Sequence, residues 1–255
     1  MRVLGIESSS LVASVALVTD DILTAEYTVD FKKTHSQTLL PMLDEIVKLL
    51  ELDMAAIDGI AVAGGPGSFT GLRIGAATAK GLGFALGKPL IHVPTVDAMA
   101  YNMWGAADLI CPIMDAKRSQ VYTGLYHVRE GLRVVMEQQP MDMRELAGLL
   151  NERGEGVIFL GDGVPVYREI IRETLTVRHA FAPAHMNRQR AASVAALGMT
   201  ALLKTGNYAG GDYAGARLVT AADFAPDYLR KPQAERQREA ELSALGAAAK
   251  LPGDY

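Results

Sequence analysis

Cysteine and long apolar runs are both scarce in this sequence. The single cysteine, Cys111, lies in the apolar run LICPIM, so the chain cannot form an internal disulfide or a zinc site built from several thiolates. No apolar run approaches the roughly 20 residues that a membrane-spanning helix needs. The sequence begins directly with the predicted strand RVLGIE and shows no signal-peptide pattern. These absences predict a cytoplasmic protein in which Cys111 packs in the core.

An excess of basic charge and a pair of closely spaced histidines are also missing. The 25 lysines and arginines are outnumbered by 29 acidic residues, which gives a net charge of −4, so tight binding of nucleic acid by this chain alone is not expected. No two of the five histidines are spaced i,i+4, as two zinc ligands on one helix face would be. The G-x-S-x-G motif of a nucleophile elbow is absent. From the residues alone we therefore predict no metal site and no catalytic nucleophile.

The sequence does contain a series of strands and helices that occurs twice. In the first half, three β-rich runs (RVLGIE, VASVALVTD and ILTAEYTVD) precede an alternation of helix and strand. A similar series begins again at LICPIMDA. The repeat predicts a duplicated α/β fold, with an N-terminal lobe over residues 1–105, a C-terminal lobe over 106–204, and an extended arm and charged tail over 205–255.

Two predicted helices of the first lobe differ in character. The helix near 36–50 has apolar residues at helical spacing, and Pro41 is expected to kink its first turns. The helix near 70–86 follows the glycine-dense loop VAGGPGSFTGLRIG and is itself rich in glycine and alanine. Each internal glycine costs a helix about 1 kcal/mol relative to alanine, so a close contact with another backbone should compensate. The loop does not match a P-loop, which requires a lysine for phosphate.

Duplicated blocks of this kind are similar to those of the actin–hexokinase–Hsp70 (ASKHA) superfamily, in which a nucleotide lies between two lobes. The segments equivalent to its first hairpin turns are IESSSL in the first block and MDAKRS in the second. Two carboxylates facing across a cleft there could hold Mg²⁺ through water. Alternatively, acidic residues at strand ends simply meet solvent. The candidate residues of a nucleotide cleft are Glu7, Ser8, Ser9, Ser10 and Asp115.

Five segments of the sequence together resemble one protein family. They are RVLGIESSS, THSQTLLPMLDEIV, GGPGSFTGLRIGAATAKGLGFALGKPLIHVPTVDAMA, MDAKRSQVY and PDYLRKPQAE. These segments are similar to the TsaB (YeaZ) family, and GGPGSFTGLRIG is the most specific of them. The resemblance implies a bacterial partner protein in the synthesis of threonylcarbamoyladenosine beside the tRNA anticodon. It also implies a degenerate relative of TsaD, the enzyme that transfers threonylcarbamoyl from threonylcarbamoyl-AMP to the adenosine.

The resemblance further implies that this chain is not itself an enzyme. Members of the TsaD branch carry an H-x-x-x-H metal pair, and the matching positions here are Thr95 and Met99, which cannot replace two imidazoles. The expected role is therefore a non-catalytic activator that requires no cofactor, with ATP or ADP bound, if at all, within the complex. The implied partners are TsaD, the small ATPase TsaE, and a second copy of the chain when it is alone. Contact with tRNA would be indirect, and no membrane is involved.

The resemblance implies binding of TsaD through the N-terminal lobe, and the two helices of that lobe are expected to form a flat apolar contact surface. In the absence of TsaD the same surface could pair with itself. The residues expected in this surface are Leu39, Met42, Leu43, Ile46, Gly71, Leu72, Gly75, Ala76, Ala79 and Gly83.

Two other functions stay open from the sequence. One is a free-standing ATP-dependent phosphotransferase or ATPase of the same superfamily, which would need a general base and a phosphate-binding loop in both lobes. The other is a homodimeric binding module without a nucleotide. The chain also departs from the family pattern, because Glu7 stands where many relatives have aspartate, and the segment 205–224 and the tail after Arg238 are longer than usual.

Overall fold

The computed structural model describes residues 1–32, 34–203 and 213–229. The elements of the first half are β1 (Arg2–Glu7), β2 (Val12–Thr19), β3 (Ile22–Asp30), α1 (His35–Leu49), β4 (Gly59–Ala63), α2 (Phe69–Leu86), β5 (Leu90–Val93) and α3 (Thr95–Tyr101). The second half repeats this series with β6 (Leu109–Asp115), β7 (Gln120–His127), β8 (Arg133–Asp142), α4 (Met143–Arg153), β9 (Val157–Leu160), α5 (Val164–Thr174), β10 (His179–Phe181) and α6 (Ala191–Leu203). A final strand, β11 (Arg217–Val219), follows.

Each half contributes one sheet, and the two sheets share a strand order. The first sheet runs β11-β5-β4-β1-β2-β3, and the second runs β10-β9-β6-β7-β8. In both sheets the first three strands of the half pair antiparallel, whereas the two later strands run parallel to the first. This duplicated arrangement is the two-lobed α/β plan of the ASKHA fold and confirms the predicted fold class.

The central strands of the first sheet are covered on both faces, which explains their continuous apolar sequences. Nearly every residue of β1 and β4 is buried. Helices α1 and α2 contact strands of this sheet, and α6 contacts β1, β2, β4 and β5. Strands enclosed in this way read as unbroken apolar runs rather than as alternating ones.

Local signals set the ends of α2. The hydroxyl of Ser68 accepts a hydrogen bond from the Gly71 N–H at 3.3 Å, and the helix ends at Gly87 in the left-handed conformation, with φ 64°. Helix α1 contains Pro41 in its second turn. Both helices lie within one residue of the ranges predicted from the sequence.

The helices α3 and α6 each pack on the sheet of the other half. Helix α3 contacts β6, β7 and β8, whereas α6 packs on the first sheet. Two glycines permit the close approach of α6: a Cβ at Gly5 would lie 2.3 Å from the Ala191 oxygen, and one at Gly198 would lie 2.5 Å from the Ala61 Cβ. The sequence places α6 in the second lobe, but its side chains complete the core of the first.

Residues 213–229, which we call the strap, return to the first lobe. Strand β11 pairs antiparallel with β5 at the edge of the first sheet. Phe224 is buried in the core of this lobe. The Lys80 ammonium on α2 donates to the backbone oxygens of Ala222 and Phe224, each at 3.0 Å. The predicted arm is therefore fastened to the first lobe over the strap, while the predicted charged tail from residue 230 lies outside the described residues.

Candidate functional site

The glycine loop before α2 packs against the turn that follows β1. The Ser68 N–H donates to the Ser9 oxygen at 2.6 Å, and the Ser8 hydroxyl donates to the Gly71 oxygen at 2.9 Å. A Cβ at Gly71 would lie 2.1 Å from the Ser8 oxygen, and one at Gly75 would lie 2.2 Å from the Ser8 Oγ. These glycines therefore serve a close approach within the chain, which corrects our expectation that they set the distance to a partner.

Helix α2 offers two glycines that make a matched test of this packing. Gly75→Ala should lower the free energy of unfolding by about 1 to 3 kcal/mol, the usual range for overpacking, because Ser8 can make room only by giving up its bond to Gly71. Gly81→Ala should instead raise it by up to about 1 kcal/mol through better helix propensity, since nothing lies within 4 Å of a Cβ there. Urea denaturation measures both; a shift of the same sign and size in the two variants would contradict this account.

The ten residues predicted to contact a partner all face inward. On α1 the side chains are at most 5% exposed, namely Leu39, Met42, Leu43 and Ile46. On α2 the buried residues are Gly71, Leu72, Gly75, Ala76, Ala79 and Gly83. The prediction of these ten as contact residues is corrected, because an apolar stripe at helical spacing is what packing on the chain's own sheet requires.

The solvent-facing sides of α1 and α2 nevertheless carry apolar side chains as well. Leu40 is 53% exposed, Leu49 80% and Phe84 66%, and the exposed residues Ala77 and Gly81 lie on the same side of α2 as Phe84. We call Ala77, Gly81 and Phe84 the outer face; Leu40 and Leu49 are nine residues apart and lie on opposite flanks of α1. The two helices contact each other. An exposed apolar surface with a helical glycine that no internal contact explains is typical of a protein contact site.

The carboxylate of Glu7 is buried where β1 ends, with 1% of the residue exposed. One of its oxygens accepts the Ser9 N–H at 2.6 Å. Burial raises the pKa of Glu7 from the ordinary 4.5 to about 7, and the charge of Asp162 adds to this effect while the hydrogen bonds from Ser9 oppose it. The neighbouring Ser10 closes the turn by accepting the Val12 N–H at 3.1 Å.

Asp115 ends β6, at the equivalent place in the second half. Its carboxylate accepts the Lys117 N–H at 2.9 Å and the Tyr167 hydroxyl at 3.1 Å, and it also pairs with the Lys117 ammonium. Burial alone would raise the pKa of Asp115, but the bonds from Lys117 and Tyr167 outweigh it and lower the pKa. The left-handed backbone of residues 117–119 forms the turn that follows.

Two further polar residues, which were not among the candidate residues predicted for the cleft, lie near these turns. The Gln189 amide donates to Asp162 at 3.4 Å, and the Gln189 carbonyl oxygen is buried without a hydrogen-bond partner among the described residues. Burial raises the pKa of Asp162, and the charge of Asp115 adds to the rise, as the charge of Asp162 adds to that of Glu7, so the three carboxylates lie in one region. The available signal was GDG at 161–163, which follows β9 as the glycine loop follows β4. Nucleotide binding in this region stays a prediction.

The two positions that the resemblance matches to a metal pair hold interior side chains. The Thr95 hydroxyl accepts the Gly65 N–H at 3.1 Å. Met99 is 1% exposed, and its terminal methyl would be 2.7 Å from a Cβ at Gly161. Within the described ranges, no group of three or more histidine, cysteine or acidic side chains is placed to hold a metal ion. Thr95 and Met99 thus act in packing and backbone hydrogen bonding.

A cleft of about 1180 Å³ lies between α3, β8 and the strap. At its wall the Asp97 carboxylate accepts the Tyr126 hydroxyl at 2.7 Å and the Tyr213 hydroxyl at 2.8 Å. Burial raises the pKa of Asp97 to about 6, although both tyrosines oppose the rise. Sequence reasoning did not identify this cluster; the signal was an acidic residue inside the apolar run TVDAMA.

No helix in the described part of the chain has the length and apolar character needed to cross a membrane.

Comparison with known proteins agrees with this fold. The chain matches the family model described as TsaD, tRNA N6-adenosine threonylcarbamoyltransferase, over residues 29–238. It is 32% identical to the tRNA threonylcarbamoyladenosine biosynthesis protein TsaB of Bacillus subtilis over 240 residues, which cover 92% of this chain and 96% of that protein. TsaB of Escherichia coli is 34% identical over 128 residues, or 49% of this chain and 55% of that protein.

A solved structure supports the same assignment of fold. YeaZ from Pseudomonas aeruginosa superposes with a TM-score of 0.73 at 24% identity, over 89% of this chain and 99% of that one. The nearly full-length match to TsaB does not favour a free-standing phosphotransferase. The chain belongs to the family that the TsaD model describes and, within it, to the TsaB (YeaZ) proteins of tRNA threonylcarbamoyladenosine biosynthesis.

Proposed function

We propose that this chain is a non-catalytic partner and activator of TsaD, within the complex that transfers threonylcarbamoyl from threonylcarbamoyl-AMP to the adenosine beside the tRNA anticodon. The observation that carries the proposal is the chemistry at Thr95 and Met99, a hydroxyl bound to the Gly65 N–H and a buried thioether. Neither group can take the place of an imidazole on a hard catalytic metal. The chain then contributes binding rather than chemistry.

The outer face is the surface that we assign to TsaD. It exposes Phe84, whose burial against another protein would be favourable at roughly 25 cal/mol per Å². Gly81, with open space around it, lets a partner backbone approach closely. In the absence of TsaD, a second copy would use the same face. TsaE is a further member of the proposed complex, which works in the cytoplasm. Because the chain has a net charge of −4, its contact with tRNA is indirect.

Gly81 provides the sharpest test of this assignment. Gly81→Leu should weaken the complex with purified TsaD by about one to two decades in Kd, because a side chain now separates the two backbones at a cost of about 1 to 3 kcal/mol. Gly81→Ala, the matched control, should keep most of the affinity. Titration calorimetry of both variants measures the difference, and tRNA modification by the reconstituted complex should fall with the Gly81→Leu variant.

Circular dichroism and thermal melting of each variant serve as the folding control. Unchanged affinity of a folded Gly81→Leu variant would place the interface elsewhere. The non-catalytic role is tested separately, by incubating the pure chain with threonylcarbamoyl-AMP and unmodified tRNA. Modified tRNA well above a protein-free control would contradict it.

A further inference from the structure

Strand β3 forms an outer edge of the first sheet. It pairs with β2 alone, so the backbone groups on its other side have no partner strand within residues 1–32, 34–203 and 213–229. The other three edges of the two sheets are short or interrupted, because β10 and β11 have three residues each and β8 contains Pro140. Proteins commonly protect sheet edges in these ways, since an open edge is a template for pairing with another chain.

Strand β3 lacks these protections over most of its length. It has nine residues and no proline. The irregularity in its pairing with β2 lies near Thr24, so residues 25–30 form a regular edge. Ala25 and Val29 pack against the core beside α1, and Tyr27 lies between them on the same face of the sheet with 44% of its surface exposed. An apolar row that α1 covers only in part therefore follows the open edge.

A second copy of the chain can pair with this edge, and the charges of β3 select the register. Two antiparallel copies related by a twofold axis perpendicular to the sheet must place one residue opposite itself, because directly opposite side chains share a face. An axis at Glu26 would set the two Glu26 carboxylates against each other. An axis at Thr28 would set Glu26 against Asp30. An axis at Tyr27 avoids both of these repulsions.

The register centred on Tyr27 joins complementary groups on both faces of the sheet. On the face beside α1, Tyr27 meets Tyr27 of the second copy and Ala25 meets Val29, so the apolar row continues across the pair. On the other face, Glu26 meets Thr28. The carboxylate of Glu26 is already paired with an arginine of its own chain, so it enters the pair without an uncompensated charge.

The ends of the paired segment match as well. This register brings Phe31 of one copy, which is 66% exposed, beside Leu23 of the other, which is 44% exposed. It also brings the exposed Lys32 towards the exposed Asp21 of the second copy. Opposite charges across two neighbouring strands are favourable, so both ends support the same register as the centre.

We propose that two copies of this chain pair through β3, antiparallel and centred on Tyr27, so that their first sheets form one continuous sheet. Helix α2 contacts β1, β4 and β5, in the opposite half of the sheet, so this pairing leaves the outer face of each copy uncovered. It is therefore distinct from a pair through the outer face and does not rest on the proposed function. The interface is small, and a Kd in the micromolar range or weaker is expected.

Substitutions of Tyr27 test the register directly, because this residue would lie opposite itself. Tyr27→Lys should weaken the pair by at least about tenfold in Kd, since two ammonium groups then meet at the axis. Tyr27→Glu should weaken it similarly, with two carboxylates. An equimolar mixture of the two variants should restore pairing, because lysine then faces glutamate. Sedimentation velocity of the full chain over a wide range of concentrations measures the Kd of each sample.

Two further variants serve as controls. Gln139→Lys adds the same charge at an exposed position of β8, the edge of the other sheet, and should leave the Kd unchanged. Gly81→Leu should also preserve the pair, whereas it would disrupt a pair through the outer face. Circular dichroism establishes that each variant is folded.

Four results would overturn the proposal. They are a parent chain that stays monomeric up to about 1 mM, a Tyr27→Lys variant that pairs as well as the parent, a mixture of the two charged variants that fails to pair, and loss of the pair in Gly81→Leu alone. No TsaD is present in these samples. A failure here therefore leaves the assignment of the TsaD contact untouched, and the calorimetric test with Gly81→Leu stands independently.

Discussion

Replacing Glu7 by glutamine should raise the free energy of unfolding by roughly 3 kcal/mol at pH 8. In the folded protein the pKa of Glu7 is about 7, against an ordinary value of 4.5, and this difference corresponds to roughly 3 kcal/mol. Between these values the folded state holds a proton that the unfolded state has released, so stability falls as the pH rises. Glutamine imitates the protonated side chain and keeps an acceptor for the Ser9 N–H.

The pH dependence separates this effect from a general gain in packing. At pH 4 the side chain at position 7 is mostly neutral in the parent and neutral in the Glu7→Gln variant. The free energies of unfolding of the two proteins should therefore nearly coincide. The extra stability of Glu7→Gln over the parent should grow from about pH 4.5 and level off above pH 7. Urea denaturation of both proteins at a series of pH values measures this difference. Glu173→Gln, an exposed site on α5, is the matched control and should show little change. A Glu7→Gln variant that is no more stable than the parent at pH 8 would contradict the prediction.

Removing the carboxyl group of Asp97 is expected to destabilise the fold strongly. The loss of hydrogen bonds in Asp97→Ala should lower the free energy of unfolding by about 2 to 6 kcal/mol, because two buried hydroxyls lose their acceptor at about 1 to 3 kcal/mol each. These hydroxyls belong to Tyr126 on β7 and Tyr213 in the strap. At pH 5, between the ordinary pKa of 3.8 and the Asp97 pKa of about 6 in the fold, folding takes up a proton at a cost of roughly 1 to 2 kcal/mol. Asp97→Ala and Asp97→Asn both remove this cost, which offsets part of the loss, so the difference between the two variants measures the hydrogen bonds.

Asp97→Asn is the control that isolates the hydrogen bonds from the rest of the site. Asparagine keeps the shape and one acceptor, and its amide can donate to the other tyrosine, so it should cost much less than alanine at pH 5. Tyr126→Phe combined with Asp97→Ala should cost less than the sum of the two single changes, since they share one bond. Full additivity would show that Tyr126 and Asp97 are not coupled.

The sequence was sufficient for the order of elements but not for the role of each helix face. Strands and helices were predictable because the period of apolar residues is a local property. On α1, however, Leu39 and Leu40 are adjacent leucines, and only the position of the sheet makes the first 1% and the second 53% exposed. Sequence reasoning assigned the buried side of the helix to a partner, because an apolar stripe has the same pattern whether a sheet of the same chain or another protein covers it.

The site shows the same division between local and tertiary information. Glu7 and Asp115 were predictable because they end the first strand of each half. Asp97 was not, because its partners Tyr126 and Tyr213 lie 29 and 116 residues away along the chain. Only the folded structure shows that a buried polar residue has acceptors or donors within reach. The strained turn at 117–119 likewise gave no sign in the residue types KRS.

The crossed packing of α3 and α6 has a consequence for the two repeats taken separately. In the present chain the last helix of each repeat covers the sheet of the other repeat, so neither repeat by itself encloses both faces of its sheet. A chain of one repeat could reproduce this packing only as a symmetric pair that exchanges these helices, in the manner of domain swapping.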